Sequence, residues 1–352
     1  MNDVLDRFSE TIRAAAARKA PLRFHGGGTK DFYGGELRGE ILDTRDYSGI
    51  VDYEPTELVI TARAGTLLSE IESALRGQGQ VLAFEPPRFR DGGTLGGAIA
   101  AGLSGPRRPY AGSARDFVLG VRILDGTGTE LKFGGQVMKN VAGYDVSRLM
   151  VGSMGTLGLL TEISLKVLPL PPAEITLQQE RSPQAALELM NAWAGKPYPI
   201  TATCHSGGRL YVRLSGADPA VRAGRQKLGG EEAANGATFW DEVRDHRLAV
   251  FALPEALWRV SLKSTAPPLP TGGEQLVEWN GALRWIAGEV GPAAVREAAA
   301  AAGGHATLFR GADKAAGVFH PLPAAMLKLH RRLKDTFDPH GILNAGRLYP
   351  DF

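Results

Sequence analysis

The sequence is poorest in cysteine, with one thiol, Cys204, among 352 residues. A single cysteine excludes an intrachain disulfide, any metal site needing several thiolates and an iron–sulfur cluster held by this chain alone, and it fits a reducing compartment. No apolar run approaches the roughly 18 residues of a membrane helix. The acidic, polar start Met1-Asn2-Asp3 lacks the pattern of a secretory signal. Excess charge is missing too: 40 basic residues face 38 acidic ones, a net charge of +2 without long blocks, and this speaks against nucleic acid as a partner. His205, His246, His305, His320, His330 and His340 are dispersed without metal-ligand spacing. Neither G-x-G-x-x-G in a strand–turn–helix context nor G-x-x-x-x-G-K-[ST] occurs, which disfavours a Rossmann site and a P-loop.

What the chain has instead is glycine, in three dense clusters each broken by a hydroxyl residue: His25-Gly26-Gly27-Gly28-Thr29-Lys30, Gly92-Gly93-Thr94-Leu95-Gly96-Gly97, and Gly152-Ser153-Met154-Gly155-Thr156-Leu157-Gly158. Glycine leaves backbone N–H groups unshielded and tolerates positive φ, so such clusters build nests for anionic groups. With 45 glycines in the chain, any single cluster reads as a turn or a cap. Three beside apolar runs point to a long ligand containing phosphate.

The length permits about two domains. Val4, Leu5, Phe8 and Ile12 share a helical face that ends at Ala20-Pro21, and Pro21 to Phe24 reads as a strand entering the first glycine loop. Leu67 to Arg76 is helical between the strands Leu58–Thr61 and Val81–Phe84. Thr94 is placed to cap a small-residue helix to Leu103, whose first turn is expected to point free N–H groups toward the second loop. Phe117–Leu124, Asp125-Gly126 and Leu131–Phe133 form a hairpin pattern. Pro169 to Pro172 stops regular structure. The expected organisation is a domain over residues 1–170, a smaller one over 171–310 in which strands alternate with helices, and a tail, 311–352, that returns to the first. In the tail, Leu327, Leu329, Leu333 and Phe337 interleave with Lys328, His330, Arg331, Arg332 and Lys334, read as the wet side of an amphipathic helix. The fold class is α+β, the second domain being an antiparallel sheet with helices on one face.

Six motifs occur in order: Pro21 to Thr29, Asp91 to Gly97, Tyr110 to Asp116, Lys139-Asn-Val-Ala-Gly-Tyr-Asp145, Gly152 to Gly158 and Asp338-Pro-His-Gly-Ile-Leu-Asn344. In this order the chain resembles FAD proteins of the vanillyl-alcohol oxidase and p-cresol methylhydroxylase superfamily, above all the flavin subunits of bacterial glycolate oxidases. The resemblance implies a two-subdomain FAD-binding domain of the p-cresol methylhydroxylase type with a cap. It places FAD at His25, Gly26, Gly27, Gly28, Thr29 and Lys30, at Gly92, Gly93, Thr94, Gly96 and Gly97, near Ser113 and Asp116, around Gly152, Ser153, Gly155 and Ile163, and at Asn344. It further implies oxidation of glycolate to glyoxylate, electrons leaving through a larger paralogous flavin subunit and an iron–sulfur subunit, and a cytoplasmic place with peripheral attachment through those partners left open.

Two departures accompany the resemblance. His25 stands where relatives commonly have Arg, and is either a phosphate-facing cation or a packed histidine; Met154 stands where they commonly have Glu. Thr29 occupies the place of the histidine that attaches FAD covalently in some members, so noncovalent FAD is expected. The string H-G-D-G-N-x-H of hydroxy-acid oxidising relatives is absent, and no metal site is carried over. Arg284 and Lys263 are candidate cations for a substrate carboxylate, each weighed against a surface or structural role. Asp145 with Arg148 is weighed against a plain helix cap. A stand-alone oxidoreductase of another small alcohol or 2-hydroxy acid, and a flavin-binding assembly subunit, are the rival functions.

Overall fold

The computed structural model describes residues 2–135, 145–253, 256–311, 313–350 and 352. The chain divides into two compact units, one formed by Met1–Leu103, Ser113–Pro169 and Pro321–Phe352, the other by Ser104–Gly112 and Leu170–His320. The divisions thus fall after Pro169 and after His320, and the short segment Ser104–Gly112 belongs with the second unit.

The first unit opens with the helix Asn2–Arg18, whose buried face is Phe8, Ile12 and Ala15. The helix ends where Lys19 turns to positive φ ahead of Pro21. The strand Leu22–His25 then pairs in parallel with Glu40–Asp43. On its other side it receives the tail: Leu22 N–H donates to Ile342 O at 2.7 Å and Asn344 N–H to Leu22 O at 2.9 Å. A five-stranded antiparallel sheet follows, in the order Ile50–Glu54, Val59–Arg63, Leu159–Lys166, Val118–Leu124, Glu130–Gly134. The expected hairpin is its last pair, with Asp125 Oδ1 accepting from the Thr127 and Thr129 amides across the turn. The expected strand Val81–Phe84 shrinks to Gln80–Val81, because a tight turn closed by Glu85 N–H on Leu82 O cuts it short.

The helix Ala324–Phe337 corrects one expectation from the sequence. Lys334 is not on its wet side but 3% exposed, 2.7 Å from Asp338, and its Nζ also donates to Thr156 O and Leu343 O. Asp338 in turn accepts the Ile342 and Leu343 amides. A buried pair survives only when its remaining hydrogen-bonding capacity is met, and here the tail backbone meets it.

The second unit is an eight-stranded antiparallel sheet, in the order Glu231–Glu232, Ala173–Glu180, Arg209–Gly216, Ile200–Ser206, Glu274–Glu278, Leu283–Ala287, Leu257–Ser261, His305–Arg310. Leu210, Val212 and Leu214 alternate onto one face and pack with the helices Pro183–Ala194 and Asp218–Leu228. On the same face Val260 and Ala306 pack with Val295 and Ala299 of the helix Pro292–Ala301. A further helix, Gly236–Arg244, covers the opposite face, where Trp240 Nε1 donates to Thr176 Oγ1 at 2.9 Å. The sheet carries Ser104–Gly112 through Tyr110 Oη to Asn280 Oδ1 at 2.9 Å and Trp279 Nε1 to Gly105 O at 3.1 Å.

Candidate functional site

The first unit holds a cavity at the point where the three glycine clusters meet, about 810 Å³ of open space counting the part open to solvent. The first loop leaves the strand Leu22–His25 directly and runs so closely against the second that Gly26 and Gly27 have no room for a side chain. A Cβ on Gly27 would lie 1.6 Å from Gly92 O, and one on Gly26 would lie 2.5 Å from Thr94 Oγ1. At the far wall a Cβ on Gly155, where φ is +73°, would lie 2.6 Å from Asn344 Nδ2. These contacts explain the glycines at the three positions by close approach of backbone to backbone or to a fixed polar group.

The hydrogen bonds of the loops decide which groups face a ligand. Among the described residues, the N–H groups of Gly26, Gly27, Gly28 and Thr29 have no protein acceptor, nor do those of Gly93 and Thr94, which are buried. Gly26 to Gly28 are half-buried and Thr29 is buried, so the run of unpaired amides forms an open nest suited to an anionic acceptor from outside the chain. The first turn of the helix Leu95–Ala101 behaves otherwise and corrects the expectation of free N–H groups there. Leu95 N–H donates to Thr66 O, Gly96 N–H to Ala64 O, and Gly97 N–H to Thr94 Oγ1, the expected cap. Both carbonyls lie at or just beyond the end of the strand Val59–Arg63, a partner that local sequence does not reveal.

Of the residues expected from the sequence, Gly26, Gly27, Gly28, Thr29, Lys30, Thr94, Gly96, Gly97, Gly155 and Asn344 line the cavity. Gly92 and Gly93 stand behind Gly27 as its packing wall. His25 ends the strand, and its carbonyl accepts both Thr44 N–H and Thr44 Oγ1–H. Gly152 and Ser153 donate their amides to Ile99 O and Met150 O, and Ile163 is fully buried in its strand. Ser113 and Asp116 form a capping box on the short helix Ala114–Phe117. Burial works against the Asp116 charge, yet the two hydrogen bonds from Ser113 outweigh it and hold the carboxyl below its ordinary range. Lys139 to Tyr144 of the fourth motif lie outside the described residues. Asp145 caps the turn Val146–Leu149 and pairs with Arg148 at 3.1 Å.

Sequence reasoning missed Arg347 in the lining and named Met154 only as a departure from the family pattern. Arg347, 5% exposed, threads the first loop by donating to the carbonyls of Asp31, Tyr33 and Gly35. With Lys30 it gives the cavity two cations against the one carboxylate of Asp31. The signal was there, since Arg347 lies three residues beyond the Asp338–Asn344 motif. Of the two roles weighed for Arg284 the structure favours the structural one: it lies in the second unit, wholly buried, and donates to backbone carbonyls. Lys263 is exposed. Among the described residues no group of three or more His, Cys, Asp or Glu side chains could hold a metal ion.

A model of the FAD binding domain family matches residues 5–134. Over 98% of its length the fold superimposes on 88% of 4-ethylphenol oxidase from Gulosibacter chungangensis, with a TM-score of 0.73 at 16% identity. The chain is therefore a flavoprotein with a FAD-binding fold of the p-cresol methylhydroxylase type. Glycolate oxidase subunit GlcE of Escherichia coli is 49% identical over 97% of this chain and 96% of its own. Glycolate oxidase subunit GlcD of Bacillus subtilis is 30% identical over 56% of this chain and 42% of its own. The chain belongs to the GlcE family.

Proposed function

We propose that this protein is the FAD-binding subunit of a glycolate oxidase and takes part in oxidising glycolate to glyoxylate. The observation that supports the reading most is the run of unpaired amides from Gly26 to Thr29, closed against Gly92 and flanked by Lys30 and Arg347. A diphosphate needs several converging donors and a positive surround, and this cradle has both. When bound, FAD supplies the two-electron chemistry that glycolate oxidation requires. The chain's own residues do the binding: the amides of residues 26–29 hold the diphosphate, Lys30 and Arg347 balance its charge, and Asn344 fixes the spacing between the first and third loops. His25, Gly92, Gly93, Ser113, Asp116, Gly152, Ser153 and Ile163 act behind this surface, as packing, capping and backbone support.

FAD is held noncovalently, since the described residues that line the cavity include neither histidine nor cysteine and Thr29 stands in the first glycine loop. Electrons leave through other subunits of the complex, a larger flavin subunit of the GlcD type and an iron–sulfur subunit, because the one cysteine here is buried and cannot hold a cluster. No described helix is long and apolar enough to cross a membrane. A cytoplasmic place, with attachment at the inner membrane face through the partners, fits the reading. Native copurification with flavin spectra of each subunit, with and without glycolate, tests it. The reading expects one acid-extractable FAD on this chain and bleaching by glycolate in the assembled complex. An isolated chain that takes up no FAD on reconstitution overturns it.

A further inference from the structure

Arg90 lies two residues before the second glycine cluster and reaches back to the first. Its Nη2 donates to Gly28 O at 2.6 Å, and Asp31 N–H donates to the same carbonyl at 3.3 Å. Gly28 and Thr29 line the cavity of the first unit, whereas Arg90 is exposed and stands outside the lining. A planar trans peptide points its carbonyl and its N–H to opposite sides. The bond that draws Gly28 O out toward Arg90 therefore turns the Thr29 N–H, for which the chain supplies no acceptor, the other way.

A strained neighbour holds the arginine in place. Phe89 sits at φ +62°, a costly conformation for a bulky residue that persists only where the surroundings fix it. Here its ring meets Phe32 edge-on, with centroids 5.3 Å apart at 77°, and Lys30 Nζ stands over it, 5.5 Å from the centroid. Lys30 Nζ also donates to Thr29 Oγ1 at 3.3 Å. Residues 89 and 90 thus grip the first loop twice, at the carbonyl of Gly28 and at the side chains of Lys30 and Phe32.

We propose that Arg90 is a positioning residue for the cofactor, aiming the Thr29 N–H at the diphosphate of FAD through the peptide that joins Gly28 to Thr29. A charged donor on a carbonyl polarises the whole peptide unit, so the N–H at its other end becomes the stronger donor. This role rests on the FAD reading above and adds to it a residue from outside the cavity.

FAD titration of the apoprotein, with the amide resonance of Thr29 followed by nitrogen-15 NMR, tests the role in the parent protein and in Arg90→Met. The variant should bind FAD about tenfold more weakly, the worth of the one amide–phosphate hydrogen bond that Arg90 aims. In the loaded variant the Thr29 amide proton should lie upfield of its position in the parent. Because Arg90 is exposed, the melting temperature of the apoprotein should stay within about 2 °C of the parent's. Unchanged affinity would overturn the role. So would weaker binding with the Thr29 resonance unmoved, which is the mark of a distant charge, or weaker binding with a clearly lower apoprotein melting temperature, which is the mark of a loosened fold. A parent protein that takes up no FAD overturns the cofactor reading itself, and this role with it.

Discussion

Asn344 reaches Phe24 across 320 positions of sequence, its Oδ1 accepting the Phe24 N–H at 2.8 Å. Its Nδ2 donates to Met154 O at 2.6 Å, and its own backbone sits at φ +44°, a conformation asparagine tolerates better than most residues. One side chain therefore fixes both the point where the first glycine loop leaves its strand and the wall of the third. Asn344→Ala should cost about 1–3 kcal/mol of stability, the penalty for orphaning buried polar groups. FAD should bind at least about tenfold more weakly, which corresponds to about 1.4 kcal/mol. Urea denaturation and FAD titration of the apoprotein measure the two effects.

Gly27→Ala should be more damaging to the cofactor than to the fold. The added Cβ meets Gly92 O, a backbone atom that cannot rotate away, so the two loops must separate and the amides of residues 26–29 diverge. Gly207→Ala serves as a demanding comparison, because its Cβ meets nothing within 4 Å although its φ of +56° imposes a backbone strain that Gly27 does not carry. The expected outcome is flavin-free Gly27→Ala protein and flavin-replete Gly207→Ala protein, read from the visible spectrum after purification.

Lys334→Met removes one half of the buried pair with Asp338 and leaves the carboxylate uncompensated. The expected cost is about 3–5 kcal/mol, the usual penalty for breaking a buried ion pair by deleting one partner. Because Asp338 also accepts the Ile342 and Leu343 amides, the tail that carries Asn344 should loosen first. Hydrogen exchange should show faster exchange at Ile342 to Asn344 than across the sheet of the second unit.

His246 sets a pH dependence. Its ring stacks on Phe251 at 4.1 Å and 7°, with Trp285 and Phe309 around it, and burial lowers its pKa from 6.5 to about 3, with Arg310 adding to the effect. The folded state keeps the ring neutral where the unfolded chain binds a proton. This group therefore has no effect on stability above pH 6.5 and lowers stability as pH falls from 6.5 toward 3. The slope from this one group is at most about 1.4 kcal/mol per pH unit. His246→Phe should flatten the melting temperature between pH 6.5 and pH 4 relative to the parent protein.

Much of the site was legible because it is written locally. The three glycine clusters, the Thr94 cap and the Asp125 turn each need particular residue types within a few positions, and composition exposes them. What stayed hidden depends on distant partners. The amides of the helix Leu95–Ala101 were expected to be free because the carbonyls of Ala64 and Thr66 that take them lie some thirty residues earlier. Lys334 was placed on a wet face because a leucine stripe says nothing of a carboxylate four residues on that turns inward with it. Arg284 stood open between a substrate cation and a structural charge because nothing local announces that its guanidinium is held by the carbonyls of Ala266, Pro267 and Gly281.

The claim on which the account depends is that the unpaired amides of Gly26 to Thr29 hold the diphosphate of FAD. Phosphorus-31 NMR of the reconstituted protein tests it most directly. The account predicts two pyrophosphate resonances displaced from those of free FAD in the parent protein. Bound flavin whose pyrophosphate resonances coincide with those of free FAD would contradict it.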